Sequence, residues 1–125
     1  MSETTRLKYL RIALLIFGLF FIFVLPIFML GGWRSGWAWG WHDGEVSHYT
    51  YMILAMYAVM GIFFLLAIRD PASYASLIWY AVWSSVLHGA VMFYQAIVDP
   101  LERGHLWGDV PALFILALVL GMLMP

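Results

Sequence analysis

An uncharged apolar run near the N-terminus places the strongest constraint on the fold. Residues 12–30 read IALLIFGLFFIFVLPIFML and contain no charged side chain. A helix of about 20 apolar residues crosses the roughly 30 Å hydrocarbon core of a bilayer. The run is longer than the h-region of a signal peptide, which is about 7–15 residues, and no small-residue cleavage site follows it. We therefore expect a retained transmembrane span, kinked near its far end by Pro26.

Three further apolar stretches follow in the chain. They predict spans at about 48–68, 74–98 and 110–124, of which the last is short for a full crossing. A tight turn at Arg69-Asp70-Pro71 separates the second and third stretches, with Asp70 as the expected helix N-cap. The predicted fold is an all-α integral membrane four-helix bundle with up-down-up-down topology, forming one transmembrane domain over residues 1–125.

The distribution of basic residues predicts the orientation of this bundle. Three basic residues precede the first span and Arg69 lies in the turn between spans 2 and 3, whereas Arg34 and Arg103 lie on the other side. Cytoplasmic loops carry the excess of lysine and arginine. We expect both termini in the cytoplasm, so that the loops at 31–47 and 99–109 share the outer face.

The composition excludes several classes of protein. The chain is 65% apolar and 10% charged, whereas a soluble domain carries about a quarter charged residues. Its net charge is −1, and the sequence contains no basic patch that would indicate nucleic acid as a partner. It contains no cysteine, which excludes disulfides, Cys-ligated zinc and iron–sulfur clusters within this chain. The expected partners are membrane lipid and either further copies of the chain, as a homo-oligomer, or the other subunits of a larger membrane complex.

The third predicted span carries a polar stripe. Ser84, His88, Gln95 and Asp99 recur at helical spacing within an otherwise apolar helix. Lipid does not solvate such groups, so the stripe is expected to face other helices or a water-filled crevice. His88 then has two interpretations: a proton relay with Gln95 and Asp99, or an imidazole bonded by a Ser, a Tyr or a backbone carbonyl of a neighbouring helix. Gly89 beside it permits close helix packing.

Two Glu-x-x-His pairs lie in the outer loops. Glu45 pairs with His48 and Glu102 pairs with His105, and residues three apart share a helix face. Two such pairs, with further carboxylates, build dinuclear metal sites in four-helix proteins. A metal ion at the outer face is therefore one hypothesis. The alternative is helix-end electrostatics, with Glu45 in the first turn of a helix and Glu102 in a capping box that begins at Asp99.

The layout of the chain resembles that of small bacterial four-span proteins of the DoxX-like superfamily. The shared features are a basic N-terminus before span 1, the Arg69-Asp70-Pro71 turn and the His88-Gly89 pair within span 3. The resemblance implies a four-helix integral membrane protein of the bacterial inner membrane, often without an assigned activity. It carries over no catalytic residue.

Three functions are compatible with these observations. The leading one is a non-catalytic accessory or scaffold subunit in the membrane, which would not be an enzyme. The second is a membrane-embedded redox or lipid-modifying protein, with a metal at the outer rim or an apolar-ligand cavity near His88 and Gln95. The third is a pathway for protons or small solutes along the polar stripe.

Overall fold

The structure, a computed structural model, consists mainly of four long helices. It describes the backbone of residues 1–32, 41–42 and 45–125, and the side chains of residues 1–30 and 47–125. Helix 1 begins as an α-helix over Glu3–Leu19 and continues to Leu30, and the next three are helix 2 (His48–Ala67), helix 3 (Ala75–Val98) and helix 4 (Asp109–Leu123). The connections contain two 3-10 helices, Pro71–Tyr74 and Pro100–Trp107, and an antiparallel pair of two-residue strands, Trp41–His42 and Glu45–Val46. Apart from this strand pair, the expected all-α class is confirmed for the described residues.

Several helices are long and apolar enough to cross a membrane. Within the part of the chain that the structure describes, three helices meet the length and hydropathy criteria for a span, namely Glu3–Leu30, His48–Ala67 and Pro71–Val98. The 3-10 helix Pro100–Trp107 and helix 4 form a bent pair with an angle of 40°, which makes a fourth span if the two are counted together. Large apolar side chains such as Trp83 are exposed, as expected where a helix faces lipid rather than water.

Helix 1 changes its hydrogen bonding around Pro26. Two π-helical segments, Phe20–Val24 and Phe28–Gly32, lie on either side of the proline. The N–H of Leu25 donates to the carbonyl of Phe20, five residues earlier. A proline lacks the N–H donor and its ring crowds the carbonyl four residues earlier, and a wider π turn relieves that contact. The distortion expected at Pro26 therefore takes the form of two π segments.

The end of the molecule that contains the turn between helices 2 and 3 is tightly packed, and we call it the turn end. Leu14, Phe64, Ile78 and Leu120, one from each long helix, are completely buried there. In a bilayer such packing stabilises helix association through van der Waals contact, because lipid tails are as apolar as the side chains. The turn end is a dry core shared by all four helices.

The turn itself departs from the expected cap. Asp70 occupies the N-cap position of the 3-10 helix, but its side chain makes no bond to a backbone N–H of that helix. Its carboxylate accepts a hydrogen bond from the Ser73 hydroxyl, which competes with the backbone for the same oxygens. On the adjacent helix, the Arg11 guanidinium donates to the carbonyl of Arg69 at 3.2 Å, which satisfies a carbonyl just beyond the end of helix 2.

Small residues set the closest helix contacts. A Cβ atom on Gly61 would lie 2.7 Å from the carbonyl oxygen of Gly18, so helices 1 and 2 cross with their backbones nearly touching. On the other side of the molecule, the Phe114 ring lies over Gly89, 3.2 Å from the position of an added Cβ. The close packing predicted at Gly89 is confirmed as a contact with helix 4.

Helices 2 and 3 are joined by the turn but pack on different neighbours. Helix 2 packs on helix 1, including its first π segment, whereas helix 3 packs on helix 4 and on the 3-10 helix Pro100–Trp107. The two helices therefore leave space between them at the end opposite the turn. We call this end the cavity end.

Candidate functional site

A large cavity opens between the helices at the cavity end. Its volume is about 1210 Å³, more than the roughly 300–1,000 Å³ of a typical ligand pocket. Helix 1 contributes only apolar side chains to its wall, whereas helices 2, 3 and 4 and the 3-10 helix contribute the polar ones. The described lining residues are Ile16, Phe17, Phe20, Phe21, Leu25, Phe28, Met29, Ser47, His48, Tyr49, Ile53, Tyr57, His88, Met92, Gln95, Glu102, His105, Gly108, Asp109, Ala112, Leu113, Ile115 and Leu116.

A hydrogen bond between Tyr57 and His88 bridges helices 2 and 3. The Tyr57 hydroxyl lies 2.8 Å from Nδ1 of His88, and the two rings stack nearly parallel. When the hydroxyl donates to Nδ1, the imidazole carries its proton on Nε2. This is one of the two arrangements predicted for His88, an imidazole bonded by a tyrosine of a neighbouring helix. The Phe21 ring of helix 1 packs against the Tyr57 ring, and the two ring centroids are 4.9 Å apart.

On helices 2 and 3, the cavity ends at this bridge. No residue of helix 2 beyond Tyr57, and none of helix 3 before His88, lines it within the described part of the chain. Beyond the bridge lie completely buried apolar side chains such as Phe64 and Ile78. The pair therefore marks the boundary between the polar wall of the cavity and the dry core.

A second polar group is a cluster of two carboxylates around His105. Oε2 of Glu102 accepts a hydrogen bond from Nε2 of His105 at 2.8 Å, and Oδ2 of Asp109 accepts one from Nδ1 at 2.7 Å. With both ring nitrogens donating, the imidazole is the protonated cation. Burial disfavours that cation, but the hydrogen bonds and charges of Asp109 and Glu102 outweigh it and raise the pKa of His105. We call these three residues the His105 cluster.

The local backbone explains how the His105 cluster forms. A 3-10 helix has three residues per turn, so side chains three apart are eclipsed, which brings Glu102 directly against His105. The bend at Gly108 then turns the first residue of helix 4, Asp109, back towards the same ring. The contact between His105 and Asp109 thus depends on the junction between the two helices.

The capping box predicted at Asp99 is only half present. The Asp99 carboxylate accepts from the N–H of Leu101 at 3.0 Å, as an N-cap does. The reciprocal bond from Glu102 to the N–H of Asp99 is absent among the described residues, because that N–H donates to the carbonyl of Gln95 at the end of helix 3. Glu102 is therefore available to bind His105.

Within the described residues, the His105 cluster gives the cavity wall an acceptor without a partner and a net negative charge. Oδ1 of Asp109 is buried and has no hydrogen-bond partner among the described residues. The Gln95 amide lines the cavity and is exposed, so it can donate or accept. Within the described lining there is no lysine or arginine. With His105 as the cation, the His105 cluster has a net charge of −1.

The predicted polar stripe on helix 3 is divided between three roles. His88 and Gln95 line the cavity. Ser84, one turn before His88, donates to the carbonyl of Ala81 in its own helix at 3.3 Å. Asp99 caps the following 3-10 helix and does not line the cavity. The structure thus brings two of the four side chains together at one wall.

The predicted metal residues are only partly described. The side chain of Glu45 lies outside the described residues, and His48 is exposed at the cavity wall. Both ring nitrogens of His105 are hydrogen-bonded to carboxylates, including Glu102, which leaves no lone pair for a metal in this arrangement. Among the described side chains, no three His, Cys, Asp or Glu residues form a group with metal-site geometry. The metal hypothesis for these four residues remains a prediction.

Sequence reasoning did not predict the contacts of two members of the site, Tyr57 and Asp109. Tyr57 lies in a span of otherwise unremarkable apolar character, and only the packing of helix 2 against helix 1 turns it towards His88. The spacing of His105 and Asp109, four residues apart, was visible as a helix-face signal. The intervening Gly108 weakens that signal, because glycine is unfavourable within a helix.

The comparisons with known proteins concern the whole chain. No curated protein and no solved structure was found to match it. One family model matches, over residues 4–125, and its description is a family of unknown function, DUF6632. The match covers nearly all of the chain, including every residue of the cavity wall. The chain therefore belongs to the DUF6632 family.

Proposed function

We propose that this protein is an integral membrane protein that binds an amphipathic small molecule in the cavity between its helices. The observation that supports this most is the two-sided lining: apolar residues alone from helix 1, and the Tyr57–His88 bridge with the His105 cluster on the polar wall. Ligand sites combine extensive apolar walls with a few placed polar groups in this way. The proposal develops the predicted apolar-ligand cavity near His88 and Gln95.

The proposed setting is the bacterial inner membrane, with the four-span layout of DoxX-like proteins. The basic residues at the N-terminus and at Arg69 support cytoplasmic termini and a cytoplasmic turn end. The cavity end would then open towards the outer face, where an amphipathic ligand enters from the outer leaflet.

The other predicted functions are less well supported. An accessory subunit or scaffold needs lipid-facing or partner-facing surfaces, and it gives no reason for a large cavity with polar groups on one wall. A proton pathway needs polar groups across the whole membrane, but on helices 2 and 3 the cavity ends at the Tyr57–His88 bridge and apolar core follows. Both functions remain predictions.

The test is to fill the cavity with a side chain. Ala112 lines the cavity and is exposed within it, so Ala112→Trp places an indole in the ligand space. Ala90 on helix 3 is also exposed but does not line the cavity, which makes Ala90→Trp the matched control. Native mass spectrometry in a neutral maltoside detergent counts the molecules of added 1-dodecanol that remain bound.

The proposal predicts a saturable adduct of 1-dodecanol on the wild type and on Ala90→Trp. The adduct should be lost from Ala112→Trp, whose thermal stability should remain close to that of the control. Equal adducts on all three proteins would place binding outside the cavity and overturn the proposal. A wild type that binds none would overturn it as well.

A further inference from the structure

We infer that the cavity selects an amphiphile whose polar head is a protonated amine. This inference rests on the proposed function and specifies its ligand. The first observation is the charge of the polar wall, where the described lining contains the carboxylates of Glu102 and Asp109 but no lysine or arginine. His105 is the only described cation there, and both carboxylates already share it. Among the described lining residues, one negative charge is left without a counter-ion.

The second observation is the balance of hydrogen bonds. Both nitrogens of His105 donate to carboxylates, and Nδ1 of His88 is occupied by Tyr57. Oδ1 of Asp109 has no partner among the described residues, and a carboxylate oxygen accepts but does not donate. A donor on a head group that reaches the His105 cluster therefore finds a carboxylate oxygen without a partner among the described residues.

An alkylammonium group fits both observations. It carries three donors, no acceptor and one positive charge, so it neutralises the surplus charge and can donate to the carboxylate oxygen that lacks a partner. A hydroxyl supplies one donor without the charge. A carboxylate or phosphate head brings a further negative charge beside Glu102 and Asp109 in a poorly solvated site, which is unfavourable. The expected order of affinity is amine, then alcohol, then carboxylate.

The body of the ligand is set by the apolar wall. Phe17, Phe20, Phe21 and Phe28 of helix 1 line the cavity next to Leu25, and none of them has a polar atom in its side chain. An alkyl or isoprenoid chain packs against such a surface without burying any polar group of the wall. The preferred occupant is thus an apolar molecule with a single primary amine at one end.

The experiment compares three ligands that share the dodecyl chain: dodecylamine, 1-dodecanol and dodecanoate. The affinity of each ligand is measured for the protein in phosphatidylcholine nanodiscs near neutral pH. Protein-free nanodiscs serve as the blank for partitioning of the ligand into lipid. We expect the wild type to bind the amine about tenfold more tightly than the alcohol, the ratio typical of one charge-assisted contact. Dodecanoate should bind most weakly.

A charge-removing variant tests whether the His105 cluster causes the preference. The Glu102 side chain is partly exposed, so Glu102→Gln keeps its volume and acceptor oxygen while it removes the surplus charge. This variant should lose most of the amine preference and keep its affinity for 1-dodecanol. Asp99 caps the same 3-10 helix but does not line the cavity, so Asp99→Asn removes a nearby charge from outside the cavity. This control variant should bind all three ligands as the wild type does.

The outcomes separate this inference from the proposed function. Equal binding of amine and alcohol by the wild type, or tightest binding of dodecanoate, would overturn the inference and leave the cavity as a ligand site. No binding of any of the three would overturn both. Replacing part of the phosphatidylcholine by phosphatidylethanolamine identifies the source of the amine: competition with dodecylamine indicates a bilayer lipid, and no competition indicates a free amphiphile.

Discussion

The turn end and the cavity end of the molecule use the same helices in different ways. At the turn end, completely buried side chains such as Leu14 and Phe64 fill the space between helices, and Gly18 and Gly61 bring two backbones together. At the cavity end, helices 2 and 3 leave a cavity of about 1210 Å³, bridged by the hydrogen bond of Tyr57 to His88. Packing stabilises one end, and polar contacts support the other.

The difference shows which end of a small helical protein can hold a ligand without loss of stability. A close-packed core tolerates neither voids nor extra atoms, so the end that sets stability has no space for a ligand. The end held by a few hydrogen bonds can open without loss of the fold. Mutations at the turn end should therefore mainly lower stability, and mutations at the cavity end should mainly change ligand binding.

The largest expected difference is between two large-to-small substitutions. Leu14 is completely buried in the turn-end core, so Leu14→Ala leaves a cavity and should lower the free energy of unfolding by about 2–5 kcal/mol. Ile53 is half-buried at the cavity wall, and Ile53→Ala should cost less than about 1 kcal/mol because it enlarges an existing space. Denaturation in mixed detergent micelles measures both, and equal losses would contradict the distinction between the two ends.

Glycine substitutions should show a slightly smaller effect within the turn end. Gly61→Ala places a Cβ 2.7 Å from the Gly18 carbonyl oxygen, a backbone atom that cannot move aside, and overpacking should cost about 1–3 kcal/mol. In Gly121→Ala the new Cβ lies 3.6 Å from Val82, an ordinary contact, so this matched control should be neutral or slightly stabilising. Similar unfolding midpoints for the two variants would mean that the helices separate more easily than described.

Removing the bridge between helices 2 and 3 should have a moderate effect. Tyr57→Phe removes one hydroxyl and leaves Nδ1 of His88 without its partner, which should cost about 1 kcal/mol, the usual net value of one hydrogen bond. Tyr94→Phe changes an exposed tyrosine on helix 3 and should be neutral. The same unfolding assay compares them, and a bridge variant as stable as its control would show that the hydrogen bond does not support the cavity end.

The smallest expected effect is the pH dependence of the cavity end. The pKa of His105 is raised in the folded protein by Asp109 and Glu102 against the opposing effect of burial. A raised pKa gives stability that is complete below the unfolded value, about 6.5, and is lost as pH rises through the folded value. The unfolding free energy should therefore fall as the pH increases above about 6.5, and His105→Gln should abolish this part of the slope. An unchanged slope in the variant would contradict the assignment.

The sequence predicted part of the fold because apolar length and helical spacing are local properties. The uncharged run at 12–30 and the turn at Arg69-Asp70-Pro71 predicted helices and a sharp reversal, and both are present. The π segments around Pro26 could be expected as a distortion but not as a particular hydrogen-bond pattern, because proline only removes one donor. The relative rotation of the helices depends on contacts such as that between Gly18 and Gly61.

The site was predictable to a lesser extent. Periodicity predicted a shared helix face for His88 and Gln95, and both line the cavity. The spacing of Glu102 and His105 predicted a shared face as well, and the structure has a hydrogen bond between them. Periodicity cannot choose a partner on another helix, so the bond of His88 to Tyr57 was only one of several possibilities. The cavity itself follows from how helix 2 and helix 3 select different neighbours, which is a property of the assembled bundle.

The central claim is that the cavity end holds a ligand space that the turn end lacks. The chain has no cysteine, so Ala112→Cys and Ala81→Cys each carry a single thiol, at the cavity wall and in the turn-end core. Labelling rates with N-ethylmaleimide in nanodiscs, with and without saturating dodecylamine, compare the two positions. We expect fast labelling at residue 112 that dodecylamine slows, and almost none at residue 81. Labelling at residue 112 as slow as at residue 81, or unaffected by the amine, would contradict the claim.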